Sequence, residues 1–218
     1  MQISWYGKSC FKIQTKPQRG GKTVTITTDI FDVKSGLRPP QGQMDIITLS
    51  KSSYLTKKID RLSKKSFVID SAGEYSLKGV NIEGVESWQD NKKKEGAGRN
   101  TIFLLDSEGI RVCHLGSLGQ ALTEKQIEAI GEVDILFVPV GNSETLNIKT
   151  IKAIIGQLEP GILIPMNYKV KGLKEKLDTC DAFCNEFGGD KNIKENKLNI
   201  KAKDVKDIEN KLVVLKVN

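Results

Sequence analysis

The sequence predicts an α/β protein in which β-sheets are covered by amphipathic helices. Short apolar runs without polar alternation, as at 102–105 and 134–140, indicate strands buried on both faces. Apolar residues at helical spacing, as at 148–158, indicate helices with one buried face. The first half of the chain is mostly strands, and the second half alternates strand with helix, so both kinds of element share one predicted core.

The first half contains short β-rich segments separated by turns. Strands are predicted at 1–6, 10–15, 23–28, 45–49 and 67–69, and the threonines of 23–28 suggest one polar face. Leu55, Ile59 and Leu62 predict a helix over 54–65. The segment 80–85 alternates as a further strand. The segment 89–99 has no apolar residue except Ala97, which predicts a surface loop.

A hairpin followed by a polar loop lies at the centre of the chain. Apolar runs at 101–105 and 110–113 flank a short turn that ends in Gly109. The second strand leads into the loop 114–119, whose two glycines permit a tight turn. Thr123 and Gln126 predict a capping box for the next helix. Loops at strand ends commonly hold the sites of α/β proteins, and a purely structural turn is the alternative interpretation.

The second half is predicted to alternate strand and helix. A buried strand at 134–140 is followed by a helix that Asn147 caps and Pro160 ends. A buried strand at 161–167 precedes a helix over 172–187, with Cys180 and Cys184 on its inner face. Segments 198–205 and 211–217 are predicted to form a final pair of strands. The length of 218 residues suits one domain over 1–218.

Composition excludes several classes of function. No run approaches the roughly 20 apolar residues of a membrane span, and the start of the chain does not resemble a signal peptide. We therefore expect a cytoplasmic protein with no membrane contact and four free, buried cysteines. The single histidine, His114, cannot supply the ligands of an imidazole-bound metal. The net charge of +7 permits an anionic partner, whereas binding of nucleic acid at physiological salt is not expected.

Several blocks of the sequence, in order, resemble the metallo-β-lactamase superfamily and its branch of ascorbate-lactonase-like hydrolases. The segment 5–11 is similar to the opening W-x-G-H-S-C/S-F motif, and 73–84 to G-E-Y-E-x-x-G-V-x-I-x-G. The segment 99–119 is similar to R-G-N-T-I-F followed by H-L-G-D-L-G. The segment 164–168 is similar to I-P-M-H-Y. The resemblance implies a four-layer αββα sandwich, in which two mixed sheets face each other with helices outside.

The resemblance also implies where a metal site would lie, and this sequence departs from it there. The segment 45–56 is similar to the central histidine motif, yet Lys51, Ser53, Leu55 and Thr56 stand at its ligand positions. An ammonium repels a dication, and hydroxyls are poor zinc ligands. The residues expected to converge on this pocket share motif positions with the family's metal site. They are Lys8, Asp29, Lys51, Ser53, Gln89, Asp90, Ser117 and Asn167.

Three functions follow as alternatives. The first is a non-catalytic binding or assembly protein that has no cofactor, holds no metal and uses none of these residues for catalysis. The second is a metal-dependent hydrolase with an atypical site, and the third is a basic nucleic-acid-binding protein. We expect the first, with a small anionic ligand and self-association into a homo-oligomer as candidate interactions. The two lysines would attract the anion unless Asp29 and Asp90 neutralise them.

Overall fold

A computed structural model describes residues 1–17, 21–52, 59, 64–90, 98–142, 146–188, 195–205 and 208–218. Its strands form two mixed sheets. The first sheet has the order β12-β1-β2-β3-β4-β5 and the second has the order β13-β11-β10-β9-β8-β7-β6. The strands of the first sheet are β1 Gln2–Trp5, β2 Phe11–Thr15, β3 Val24–Thr28, β4 Ile46–Thr48, β5 Phe67–Ile69 and β12 Leu198–Asn199. Those of the second are β6 Gly73–Leu77, β7 Val80–Trp88, β8 Arg99–Ser107, β9 Ile110–His114, β10 Ile135–Pro139, β11 Ile162–Met166 and β13 Lys211–Leu212.

Each sheet changes from antiparallel to parallel pairing partway across. In the first sheet β1, β2 and β3 pair antiparallel, and β3, β4 and β5 pair parallel. In the second, β6 to β9 are antiparallel, and β9, β10, β11 and β13 are parallel. Parallel strands share the direction of their carboxyl ends, so the loops after β3, β4, β9, β10 and β11 lie at one edge of the sheets and contribute to the candidate site.

The two sheets pack face to face around an aromatic centre. The rings of Phe11 in β2 and Phe137 in β10 stack with centroids 4.0 Å apart. Nearby, the ring centroids of Trp5 and Tyr168 are 4.8 Å apart. All four side chains are almost fully buried. Apolar surface removed from water between the sheets supplies the main driving force for this arrangement.

Helices lie outside the sheets, which makes the fold the predicted α/β sandwich. The described helices are α1 Glu124–Ile130, α2 Ile148–Leu158 and α3 Asp181–Glu186. Thr123 and Gln126 form the predicted capping box, and Asn147 caps α2 through the amide of Thr150. No helix of the described residues is long and apolar enough to cross a membrane. The predicted helix over 54–65 lies mostly outside the described residues.

The central hairpin is present as predicted, with β8 longer than its apolar run. Phe103 pairs with His114 and Ser107 pairs with Ile110 across the two strands. Glu108 and Gly109 have φ values of 57° and 71°, the left-handed conformation that a two-residue hairpin turn requires. Strand β3 is buried along its whole length, so the predicted polar face of threonines is not exposed to water.

Two predictions of secondary structure are wrong. The helix predicted over 172–187 is reduced to α3, because backbone amides before it bond outside any helix: Lys174 N donates to the carbonyl of Ser35, and Asp178 N to that of Gly141. The final segments do not pair with each other. Strand β12 joins β1 in the first sheet, and β13 joins β11 in the second.

The four cysteines are free thiols, and all are buried. Although only six residues of the predicted helix are helical, Cys180 and Cys184 remain neighbours, with Sγ atoms 3.5 Å apart. Burial raises the pKa of the Cys113 thiol far above its usual range.

Candidate functional site

The candidate site is built on Asp29, which follows β3 and is fully buried. Both of its carboxylate oxygens accept hydrogen bonds from Ser50. The amide of Ser50 donates to Oδ1 and its hydroxyl to Oδ2, each at 2.6 Å. Burial raises the pKa of Asp29, although His114, the hydrogen bonds from Ser50 and the charge of Lys51 act in the opposite direction. Asp29 therefore fixes the loop that follows β4.

Lys51 extends from that loop and is largely buried. Burial lowers the pKa of its ammonium, and the nearby charge of Lys8 acts in the same direction. The charges of Asp29 and Glu175 oppose these effects but do not cancel them. Lys51 thus lies near two acidic groups, Asp29 and Glu175, and one basic group, Lys8.

Lys8 lies in the turn after β1, with a φ of 53°. Its Nζ is 2.5 Å from Oε1 of Glu175, and only 12% of the Lys8 side chain is exposed. The Lys8 carbonyl accepts from the indole of Trp5 at 2.9 Å and from the amide of Asn167 at 2.8 Å. Backbone hydrogen bonds therefore join the turn after β1 to the end of β11.

His114 ends β9 and is removed from solvent. It is fully buried, and its Nε2 is 2.8 Å from the carbonyl oxygen of Ser9. Burial lowers the pKa of His114, so the neutral ring is favoured despite the nearby carboxylate of Asp29. Among the described residues, its Nδ1 has no hydrogen-bond partner.

Ser117, Gln89 and Asp90 complete the described part of the predicted set. The amide of Ser117 donates to Oδ1 of Asn100 at 2.7 Å. The Ser117 hydroxyl is buried, without a hydrogen-bond partner in the described part of the chain. The side chain of Gln89 donates to the carbonyl of Arg99 at 2.9 Å, so it is bound to the neighbouring strand. Ser53 lies outside the described residues.

Close backbone packing brings these loops together. A Cβ atom on Gly116 would lie 2.5 Å from both Ser50 Cβ and Asn100 Oδ1. A Cβ atom on Gly119 would lie 1.8 Å from the carbonyl oxygen of Gln89. The glycines of the loop after β9 therefore let that loop lie directly against the loops after β4 and β7.

A cavity of about 380 Å³ opens beside Lys51. Its lining combines polar, charged and aromatic groups, among them Ser50, Lys51, Asp70, Ser71, Trp88 and Arg99. This volume lies within the range of small-molecule sites. Ser50 links the cavity to Asp29, since its hydroxyl is hydrogen-bonded to that carboxylate.

The donors that the described residues offer at this position do not fit a zinc ion. Both oxygens of Asp29 are bound to Ser50, and Lys51, which lies near enough to interact with Asp29 and Lys8, carries a positive charge that repels a dication. Across the described ranges, no three His, Cys, Asp or Glu side chains are grouped so as to hold a metal. Zinc sites ordinarily use at least three such ligands.

Two mixed sheets with helices outside, and a polar site at the strand ends, define the metallo-β-lactamase class of fold. The beta-lactamase superfamily domain matches residues 2–167, and the chain belongs to that superfamily.

The chain is similar to named hydrolases over most of its length. It is 27% identical over 193 residues to a UPF0173 metal-dependent hydrolase of Carboxydothermus hydrogenoformans, covering 77% of this chain and 84% of the relative. A UPF0173 protein of Pyrococcus furiosus is 31% identical over 187 residues, covering 77% and 83%. A crystal structure from Thermotoga maritima, described as a candidate Zn-dependent hydrolase of the metallo-β-lactamase superfamily, is 34% identical. It has a TM-score of 0.75, with 100% and 99% of the two chains covered.

These similarities correct the functional interpretation drawn from the ligand count. The expectation of a non-catalytic binding or assembly protein is wrong, because relatives from Carboxydothermus hydrogenoformans and Lysinibacillus sphaericus are named metal-dependent hydrolases, which favours the alternative of a hydrolase. The expectation counted metal ligands alone. It did not take into account the similarity along the chain, the cavity beside Lys51 or the ion pair between Lys8 and Glu175.

Sequence reasoning missed two residues of this site. No local pattern distinguishes Ser50, although its hydrogen bonds to Asp29 organise the loop that follows β4. Glu175 was placed on a predicted helix. Its contact with Lys8 spans 167 residues in sequence, and no local pattern indicates it.

Proposed function

We propose that this protein is a hydrolase that acts on a small substrate in the cavity beside Lys51. The observation that carries the proposal is the similarity to named hydrolases along most of the chain. The cavity supports it, because its volume of about 380 Å³ suits a small molecule and its lining includes the charged residues Lys51, Asp70, Glu86 and Arg99.

Lys51 is the residue we assign to the reaction. When water adds to a carbonyl or phosphoryl centre, negative charge develops on an oxygen of that centre. The bond to the leaving group then breaks, and the leaving group takes up, through solvent, the proton that the attacking water loses. The ammonium of Lys51 would donate hydrogen bonds to that oxygen, and Asp29 behind it supplies compensating charge. Removing one donor of this kind usually costs about 100-fold to 1,000-fold in rate.

The experiment is a hydrolysis assay with chromogenic esters, phosphoesters and a simple lactone. We expect hydrolysis of at least one class, and a fall of about 100-fold in kcat for Lys51→Met. Lys125→Met, on the exposed face of α1, is the matched control and should be unaffected. Failure of every substrate class, or equal rates in wild type and Lys51→Met, would contradict the proposal.

The pH profile of the same assay supplies an independent check. Lys51 acts as the ammonium, and its pKa lies below the ordinary lysine value of about 10.4. Activity should therefore fall as pH rises through that lowered pKa. Activity that rises over the same interval would indicate that the neutral amine, acting as a base, is the working form.

We place this reaction in the cytoplasm. The four cysteines support that location, since they are buried thiols and form no disulfide.

A further inference from the structure

Lys8 is a nearly buried cation whose partner comes from a surface loop. Its side chain is 12% exposed, whereas that of Glu175 is 48% exposed. Burying an ammonium is costly unless an anion compensates it. Glu175 Oε1, at 2.5 Å from Nζ, supplies such compensation from the outer side of the site.

A second ammonium lies within electrostatic reach of this pair. The charges of Lys8 and Glu175 both act on Lys51, in opposite directions. Two neighbouring ammonium groups repel each other, and an anion placed beside them removes part of that repulsion. The carboxylate of Glu175 fills this role in the structure.

The backbone that carries Glu175 is anchored on both sides of the residue. Lys174 N donates to the carbonyl of Ser35 at 2.9 Å, and Lys169 N to that of Asp178 at 2.8 Å. The amide of Asp178 donates to the carbonyl of Gly141 at 2.9 Å. The half-exposed Glu175 side chain can therefore turn to solvent by a change of rotamer, while the loop stays in place.

We propose that Lys8 and Lys51 form a subsite for the carboxylate or phosphate group of a substrate, and that Glu175 occupies this subsite until the substrate displaces it. The inference deepens the proposed function, because it specifies the chemical class of substrate for the adjacent cavity. An incoming anion would replace the charge-assisted hydrogen bond from Lys8 to Glu175 with one from Lys8 to the anion. Glu175 thus selects against neutral molecules, which cannot compensate the two cations.

Isothermal titration with inorganic phosphate, and separately with acetate, tests the inference. Removing the internal carboxylate in Glu175→Gln should tighten binding by about tenfold, the scale of one charge-assisted hydrogen bond. Lys8→Met should abolish the gain in the Glu175→Gln background. Lys8→Arg, which keeps the charge, should retain it. Glu128→Gln on α1 is the control for loss of an exposed carboxylate.

Phosphate or acetate affinity that is equal in wild type and Glu175→Gln would overturn the inference. So would tight binding that persists in Lys8→Met. The preferred anion identifies the group: stronger binding of phosphate indicates a phosphorylated substrate, and stronger binding of acetate indicates a carboxylate. Thermal denaturation of each variant shows whether it is folded.

This result is separable from that of the hydrolysis assay. Anion binding without hydrolysis of any substrate class would leave the subsite in place and contradict the proposed reaction. Hydrolysis of a substrate, together with anion binding that is unchanged in Glu175→Gln, would support the proposed reaction and contradict the subsite.

Discussion

Asp45 and Asp29 are both buried acids at the ends of the β3–β4 pair, yet their environments act on them in opposite directions. Among the described residues, Ser50 is the hydrogen-bond donor to Asp29, and burial raises the pKa of Asp29. For Asp45, burial also raises the pKa, but hydrogen bonds from Lys78, the Thr25 amide and Gln43 outweigh it. The pKa of Asp45 therefore lies below its ordinary value.

Asp45 should make stability depend on pH in the acid range. Because its folded pKa is depressed, its contribution is present above the unfolded pKa of about 3.9 and is lost as pH falls through the folded pKa. Asp45→Asn should lower the free energy of unfolding near neutral pH, and the difference from wild type should shrink in acid.

Urea unfolding across this pH range measures the effect. Asp70→Asn, which removes an exposed carboxylate, is the control. A difference between Asp45→Asn and wild type that stays constant from neutral to acid pH would show that Asp45 does not titrate in this way.

At the scale of elements, strand patterns were predicted well because the buried strands carry continuous apolar runs. Strand β10, with five consecutive buried residues, is an example. The helix over 172–187 was predicted from a periodic pattern that the chain overrides. The amides of Lys174 and Asp178 find partners on distant segments, and a periodicity argument cannot anticipate long-range hydrogen bonds.

Gly141, just beyond β10, lies where the backbone after β10 closely approaches the backbone after β11. A Cβ atom there would lie 2.2 Å from the Asn167 carbonyl oxygen and 2.6 Å from the Tyr168 Cα. Backbone atoms cannot move aside as a side chain can. Gly141→Ala should therefore destabilise the protein by about 1–3 kcal/mol in chemical denaturation.

Gly156 in α2 provides a matched control, for which substitution by alanine should change the stability in the opposite direction. Nothing lies within 4 Å of a Cβ atom built on it, and the residue is exposed. Gly156→Ala should stabilise the protein by about 0.5–1 kcal/mol, because alanine has the higher helix propensity. Equal effects of the two substitutions would contradict the packing argument.

At the scale of the whole molecule, the fold was predictable because many separate motifs agree in order and because both sheets have strong apolar patterns. The candidate site was predictable only in part. Motif positions indicated Lys8, Asp29 and Lys51, but the partner of Lys8 comes from the far end of the chain. Side-chain pairing across 167 residues depends on the assembled fold, which the sequence pattern does not encode locally.

The composition of the whole chain leads to a prediction about metal content. The chain has one histidine, and it is buried against the Ser9 carbonyl. Purified protein, dialysed and analysed by mass spectrometry, should contain no stoichiometric zinc, iron or manganese. Hydrolysis should likewise be unaffected by a chelator. Stoichiometric zinc that is lost in the variant Asp29→Asn, Asp90→Asn would contradict this prediction.

The left-handed backbone at Lys8, Asp29 and Asn167, with φ values of 53°, 42° and 54°, has a consequence for protein engineering. Such conformations cost roughly 1 kcal/mol or more in residues other than glycine, so the surrounding scaffold already bears that cost. A designer who wishes to install new chemistry at these strand ends needs to exchange side chains alone. Libraries confined to Lys8 and Asn167 would use this preorganised backbone, whereas any exchange of Asp29 would also remove the hydrogen bonds that hold Ser50 and the loop after β4.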